Sequence, residues 1–441
     1  MADTDDPQQI HAVLDLALRV GEMMLSNGAG AADVTAAMGA VTRHFGLRSA
    51  LVDVTFTTLT ISYQERWEDP PQSRVRHVTY RTIDYGDLTL VDKLVRDLVS
   101  DRVDLDEARA RILHIASTGH GRPRWSITLA YGFTGAGVAA LLGGTWVVWI
   151  IAFVASALVE VLQRWMERMR LPLFYQQIAG GLLATLIAVA AGASHLPVSS
   201  SIVVTASIIM LLAGLGFIGA VQDALTGFPL TATARILEVL IATAGIIVGV
   251  SGGLSIASWL GIDLMVQPGA SDLARLAGVV LGGAVCAAAF ACSAYAPWRS
   301  LVPIAAVAAV AAGLTYLLAD LGRLWAVGVA AVVVGLVSFG AAAWARVPPL
   351  VVVVSAIVPI LPGLSIYRGL ALMAEGDAYN GIVGLVTAAA VALALASGVL
   401  FGEYVAQPLR REARKVEQRL AGPRLVGPLR PTRVRRRNKA S

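Results

Sequence analysis

LAGLGFIGA (residues 212–220) and LPGLSIYRG (residues 361–369) are two similar stretches of this sequence, and each lies inside a long apolar run. An internal repeat in a membrane chain is typical of transporters whose solute site lies between two related halves near the bilayer midplane. Both stretches contain residues that interrupt helices, namely Gly214, Gly216, Pro362 and Gly363. We therefore predict two broken membrane helices that meet at a solute site.

The composition is that of an integral membrane protein. Of the 441 residues, 56% are hydrophobic and 43 are glycine, and the mean hydropathy is +0.68. Such a composition excludes a soluble enzyme of this size. Charge is ordinary in residues 1–125, sparse in 126–407 and strongly basic in 408–441. For the basic tail we expect contact with anionic membrane lipids rather than with nucleic acid.

The apolar region divides into ten spans, because a hydrocarbon core about 30 Å thick needs roughly 20 helical residues. The predicted spans are 126–143, 145–162, 176–193, 199–220, 235–259, 273–294, 300–318, 324–344, 349–371 and 381–406. The loops that follow the even-numbered spans contain arginines, whereas most loops that follow the odd-numbered spans contain none. Arg323, which follows span seven, is the main exception. Because short loops with Arg and Lys favour the cytoplasm, this pattern predicts that both termini are cytoplasmic. The acidic, polar start of the chain is unlike a secretory signal. We therefore expect a multi-pass protein of the inner (plasma) membrane.

The first 125 residues have the pattern of a small α+β unit. An amphipathic helix is predicted over 10–26, and further helices over 31–45, 87–100 and 106–116. Two β-branched segments, 51–63 and 75–83, flank the turn-rich EDPPQS and predict a hairpin.

The predicted topology runs span four inward and span nine outward, so the two glycine-containing stretches cross the membrane in opposite directions. The predicted fold is thus an all-α polytopic membrane bundle of about ten transmembrane helices in two inverted five-helix repeats, with an N-terminal α+β cytosolic domain. The predicted domain boundaries are 1–125, 126–262, 263–407 and 408–441.

Interrupted backbone is the first candidate for a solute site. Pro359 and Pro362 should unwind span nine, because proline removes a backbone donor and clashes with the preceding turn. Freed carbonyls and half-helix N-termini can bind an ammonium and a carboxylate. Arg368, close to this break, is the candidate carboxylate contact, because guanidinium binds carboxylate with two hydrogen bonds. In the first half, Ala213 takes the corresponding proline position. Structural packing kinks are an equally open interpretation.

Ionisable residues near the membrane form a second candidate set, because their burial is costly. The candidates for exchange of a coupling proton are Asp223, Glu238, Glu375 and Asp377. Structural ion pairs are the alternative for several of them. Cys286 and Cys292 point to different helix faces, and the histidine spacing matches no metal signature, so we predict neither a cofactor nor a metal site.

The residues also carry a resemblance to a known family. ALRVGEMMLSNGAGAADVTAAMGAVTRHFGL (17–47) with VDVTFTTLTISY (52–63) resembles the N-terminal domain of the threonine/serine exporter family (ThrE type), and LPGLSIYRGLALMAEGD (361–377) resembles its second-half motif. The resemblance implies ten membrane helices and export of threonine and serine driven by the proton-motive force. The family's usual first-half Leu-Pro-Gly and Gly-Asp are here LAG (212–214) and Gly227-Phe228, which puts residue-level transfer to that half in doubt.

Three other functions stay open at this point. Relatives of the family with separate halves are associated with dicarboxylate export, so a dicarboxylate exporter of the same architecture is one alternative. A membrane-tethered hydrolase using the N-terminal domain is a second, although the sequence contains no nucleophile elbow. A passive channel is the third. The expected partners are an amino acid solute and membrane lipids, with no nucleic acid, and assembly into a homo-oligomer is left open.

Overall fold

The structure is a computed structural model that describes residues 7–420 with short gaps. The residues outside its description are 1–6, 66–67, 69, 120–121, 195–198, 210, 212–213, 260–272, 363–364, 366–368, 370–371, 374–375 and 421–441. The helices are α1 (Pro7–Ser26), α2 (Ala31–His44), α3 (Tyr85–Val99), α4 (Leu105–Ser117), α5 (Arg124–Leu141), α6 (Trp146–Arg168), α7 (Leu173–Ala193), α8 (Ser200–Ile208), α9 (Gly214–Leu225), α10 (Pro229–Trp259), α11 (Leu273–Ser293), α12 (Trp298–Leu317), α13 (Arg323–Ala345), α14 (Pro349–Ile357) and α15 (Ala378–Leu420). The strands are β1 (Leu51–Thr55), β2 (Thr58–Tyr63) and β3 (Gln72–His77).

Long apolar helices dominate the chain after residue 123. Within the described residues, 7 helices are long and apolar enough to cross a membrane: α6, α7, α10, α11, α12, α13 and α15. They coincide with seven of the ten predicted spans, and the chain is a polytopic, mostly helical membrane protein. The other three predicted spans fall on α5 and on two segments in which the helix is interrupted. The count of ten therefore stays a prediction.

Two of these segments contain a break. The helix α8 ends at Ile208, and α9 begins at Gly214. In the later segment, α14 ends at Ile357, a 3-10 turn covers Val358–Ile360, and the chain bends at Leu361 and Pro362. This second break is the one predicted from Pro359 and Pro362, because neither proline can donate to the preceding turn.

The same helix pairs pack in the two groups α5–α10 and α11–α15. In the first group α5 packs on α6 and α7 packs on the last helix, α10; in the second group α11 packs on α12 and α13 packs on the last helix, α15. Glycines permit both close crossings: a Cβ added at Gly249 or Gly402 would lie within 3.0 Å of a backbone oxygen of the facing helix. In each case another glycine, Gly245 or Gly398, lies four residues earlier, as in the membrane motif that brings helix backbones together.

The N-terminal elements fold into a three-stranded antiparallel sheet of order β1-β2-β3 with α1–α4 around it. Their core is apolar and includes Leu14, Met38, Leu59 and Leu88. The predicted hairpin across EDPPQS is present as the antiparallel pair β2–β3, but the prediction of one strand over 51–63 was wrong. Residues 51–63 form two strands rather than one, because the backbone reverses at Phe56, which has φ of 53°.

This N-terminal segment, residues 7–118, lies against one end of the helix bundle. The Phe56 amide donates to Thr231 Oγ1 at 3.0 Å, and the Thr231 hydroxyl donates to the Val54 carbonyl at 3.0 Å. On the other helix group, the Tyr85 amide donates to the Ala294 carbonyl at 2.8 Å. We call this end of the bundle the docked face and the other end the distal face.

Candidate functional site

A cavity of about 310 Å³ lies beside the second helix break, toward the distal face, and we call it the distal cavity. Its wall includes the unwound turn, Pro359 to Leu361, together with residues from both helix groups. Arg275 and Arg323 also line it. The combination of open backbone and two guanidinium groups suits the binding of a carboxylate.

Thr205, near the end of α8, is the buried polar residue of this cavity. Its side chain is 1% exposed, and its hydroxyl oxygen has no hydrogen-bond partner in the described part of the chain. A buried polar atom without a partner costs free energy, so such atoms are rare unless a ligand or a water completes them. Thr205 is therefore a candidate solute contact that the sequence did not single out.

A second cavity, of about 640 Å³, opens between the N-terminal segment and the docked face. We call it the proximal cavity. Ends of both interrupted segments border it: Asp223 and Thr226 come from the end of α9, and Pro349 and Leu350 come from the start of α14. Its volume is in the range of small-molecule sites, about 300–1,000 Å³.

Four carboxylates line the proximal cavity, and none of its described lining residues is Lys or Arg. Asp33 and Asp92 come from the N-terminal segment, whereas Asp223 and Glu403 come from the bundle. Burial raises the pKa of Asp33 above its ordinary value, and repulsion from Asp223 and Asp92 raises it further. Burial likewise raises the pKa of Asp92, against the opposing effect of Arg96. The acidic wall thus favours a cation over an anion.

Two ion pairs lie where the N-terminal segment meets α9 and α10, and one of them includes the cavity residue Asp223. The Asp223 carboxylate lies 2.9 Å from Arg235, and it also accepts a hydrogen bond from the Ala31 amide at 2.9 Å. Glu238 lies 2.6 Å from Arg81, whose guanidinium covers the Phe56 ring. The Asp223–Arg235 pair joins α9 to α10, whereas the Arg81–Glu238 pair joins the N-terminal segment to α10. They place two of the predicted proton-exchanging residues in contact with arginines.

The remaining predicted site residues are dispersed. Pro362 is buried at the bend, Gly214 starts α9, and Gly216 faces Val239 of α10. Asp377 is exposed and accepts hydrogen bonds from the amide and side chain of Asn380, which hold the pKa of Asp377 below its ordinary value. Three predicted residues lie outside the described part of the chain, namely Gly363, Arg368 and Glu375.

Asp33 and Glu403, which both line the proximal cavity, were not among the predicted site residues. Glu403 offered a signal, because it is an ionisable residue inside an apolar run. Asp33 offered none, because an acidic residue in the first turn of a helix is ordinary. Their approach across the proximal cavity depends on how the N-terminal segment docks, which no local pattern reports.

Comparison with known proteins agrees with this architecture. A family profile for threonine/serine exporters (ThrE) matches residues 15–257, and a second, described as Threonine/Serine exporter, ThrE, matches residues 280–405. The chain belongs to the threonine/serine exporter family. Members of this family are transporters rather than enzymes, so the hydrolase alternative is set aside.

Two curated relatives cover nearly the whole chain. The chain is 36% identical over 434 residues to the "Probable threonine/serine exporter" of Mycobacterium tuberculosis, covering 95% of this chain and 81% of that protein. It is 33% identical over 422 residues to the "Threonine/serine exporter" of Corynebacterium glutamicum, covering 93% of this chain and 86% of that one. No solved structure matches the chain significantly.

Proposed function

We propose that this protein is a secondary active exporter of threonine and serine, driven by the proton-motive force. Family membership supports amino acid export, and both relatives are named for threonine and serine. The observation that carries the proposal is the pair of interrupted helices with a cavity toward each face of the bundle.

The two helix groups act in this proposal as inverted repeats, 126–262 and 263–407. Its support is the recurrence of the same packing pairs and of the glycine pairs in α10 and α15. With both termini in the cytoplasm, the docked face is the cytoplasmic one and the N-terminal segment is a cytosolic domain of residues 1–125. The basic residues 408–441 then lie at the inner surface of the plasma membrane.

Export proceeds by alternating exposure of the solute to the proximal and the distal cavity. The unwound turn that ends at Pro362, together with Gly363 and the start of α9 at Gly214 and Gly216, forms the contact region between them. Arg368 binds the solute carboxylate. Proton exchange at Asp223, Glu238, Glu375 or Asp377 couples the cycle to the proton gradient.

The test is counterflow of labelled threonine, serine and succinate in proteoliposomes, with and without an imposed pH gradient. We expect counterflow of the two amino acids above protein-free vesicles, and net flux that follows the pH gradient. Succinate counterflow without amino acid counterflow would favour the dicarboxylate alternative. Flux that ignores the gradient would favour a channel.

A second test concerns the binding region. Arg368→Ala is expected to abolish counterflow while leaving the protein inserted and monodisperse. Retention of normal transport by this variant would place the carboxylate contact elsewhere.

A further inference from the structure

We propose that the proximal cavity is the entry site for the solute, that it binds the solute's ammonium group, and that Asp33 and Glu403 are the two ligands. This inference rests on the proposed function and deepens it. It gives the N-terminal segment a direct part in solute recognition, because one of the ligands belongs to that segment.

The argument begins with the pairing of the four carboxylates. Asp223 is paired with Arg235 at 2.9 Å, and Asp92 is paired with Arg96 at 2.5 Å. Neither the Asp33 nor the Glu403 carboxylate forms an ion pair or a side-chain hydrogen bond with another described residue. The cavity therefore holds two carboxylates that lack a cation.

Glu403 is the more unusual of the two. It lies within the apolar part of α15, Ala378–Ala406, which is long enough to span a membrane. An ionisable residue in such a helix is costly, and those that persist pair with a partner or face a polar pathway. Glu403 instead faces the cavity, where Asp33 repels it from across the gap. A bound cation between them would relieve that repulsion.

Asp33 is held opposite Glu403 by the docking of α2. The Ala31 amide, in the first turn of α2, donates to Asp223 of α9 at 2.9 Å. This hydrogen bond fixes the start of α2 against the bundle, two residues before Asp33. The Asp33 side chain is open to the cavity yet surrounded by protein, which is the environment of a solute ligand rather than of a solvated surface charge.

A primary ammonium group fits this arrangement chemically. It carries three N–H donors and no acceptor, so it can donate to two carboxylates at once. The neighbouring walls contain small apolar residues, among them Ala32, Ala36 and Ala37, which suit a short side chain. The same negative cavity repels a dicarboxylate. The site therefore selects a zwitterion by its amino end, before any contact with its carboxylate.

The first experiment uses the unaltered full-length protein in detergent and measures equilibrium binding of labelled L-threonine against three competitors. L-Threonine methyl ester keeps the ammonium and is expected to compete. N-Acetyl-L-threonine, which lacks it, and succinate are expected not to compete. Equal competition by N-acetyl-L-threonine and the methyl ester would overturn the proposal.

The second experiment compares Asp33→Asn and Glu403→Gln with the control Asp106→Asn, whose carboxylate is 94% exposed outside the cavity. Each cavity variant should weaken threonine binding about tenfold or more, because it removes one charge-assisted hydrogen bond. The control should bind as the unaltered protein does. Unchanged binding by monodisperse Asp33→Asn would refute the role of the N-terminal segment.

The two proposals can fail separately. Absence of amino acid counterflow by the unaltered protein would refute the transport function, whereas the competition series reports on ammonium recognition alone. Normal counterflow, together with tight binding by both cavity variants, would refute this inference and leave the exporter function intact.

Discussion

Removal of the Asp223 carboxylate gives the sharpest test of how the N-terminal segment is held. Only 2% of the Asp223 side chain and 13% of the Arg235 side chain are exposed, so this ion pair is buried. Asp223→Ala leaves the Arg235 charge without its carboxylate, and breaking a buried pair in this way costs about 3–5 kcal/mol. The Ala31 amide also loses its acceptor, so the loss should extend to the docking of α2.

The neighbouring pair provides the matched control. Arg81 and Glu238 lie 2.6 Å apart, but 44% of the Glu238 side chain is exposed. Exposed pairs contribute about 0–1 kcal/mol. Glu238→Ala should therefore cost far less than Asp223→Ala, although both carboxylates contact the N-terminal segment.

The assay is reversible unfolding in mixed micelles, followed by the fluorescence of the 9 tryptophans. A double-mutant cycle with Arg235→Ala should give a double variant that is less destabilised than the sum of the single variants, because it removes the stranded charge. Additive effects, or a cost for Asp223→Ala no larger than that for Glu238→Ala, would refute the buried ion pair.

Three further predictions concern a helix crossing, a hydroxyl and a titration. Gly249→Ala should lower the free energy of unfolding by about 1–3 kcal/mol, because the added methyl group overpacks α10 against α7. Gly252→Ala should be neutral, because Gly252 has open space beside it. The thermal stability of the monodisperse protein measures both effects. Thr205→Val should leave the melting temperature unchanged or higher, since the lost hydroxyl has no described partner. The same substitution should lower threonine counterflow. Unchanged counterflow would show that Thr205 does not contact the solute. Asp33→Asn should be more thermostable than the unaltered protein at about pH 8 and equally stable near pH 4. Because the folded protein raises the pKa of Asp33 above 3.8, ionising this carboxyl destabilises the folded state increasingly as the pH rises from that value. A stability difference that stays constant from about pH 4 to pH 8 would contradict this prediction.

Much of the membrane architecture was predictable because apolar length and proline chemistry are local. The break at Pro359 and Pro362 followed from the missing backbone donors, and seven predicted spans coincide with long apolar helices. The β1–β2 hairpin was less predictable. A reversal at Phe56 requires positive φ, and the residues that surround Phe56 there, Thr231 and Arg81, are distant in sequence.

The candidate site was only partly predictable for the same reason. Asp223 and Glu238 were identified as costly charges, but their arginine partners emerged only in the fold. Asp33 belongs to α2, whose sequence is that of an ordinary helix in a soluble domain. Its place beside Glu403 follows from tertiary docking, so no pattern within either segment could have paired them.

The attachment of the N-terminal segment to both helix groups limits how the bundle can move. One anchor is Thr231 at the start of α10, and the other is the Ala294 carbonyl after α11. If the two helix groups rotate relative to each other, the N-terminal segment must either move with one group and lose its contacts to the other, or keep both contacts and restrict the rotation. Substitutions that strengthen or weaken either anchor should therefore change the rate of transport, although neither anchor contacts the solute.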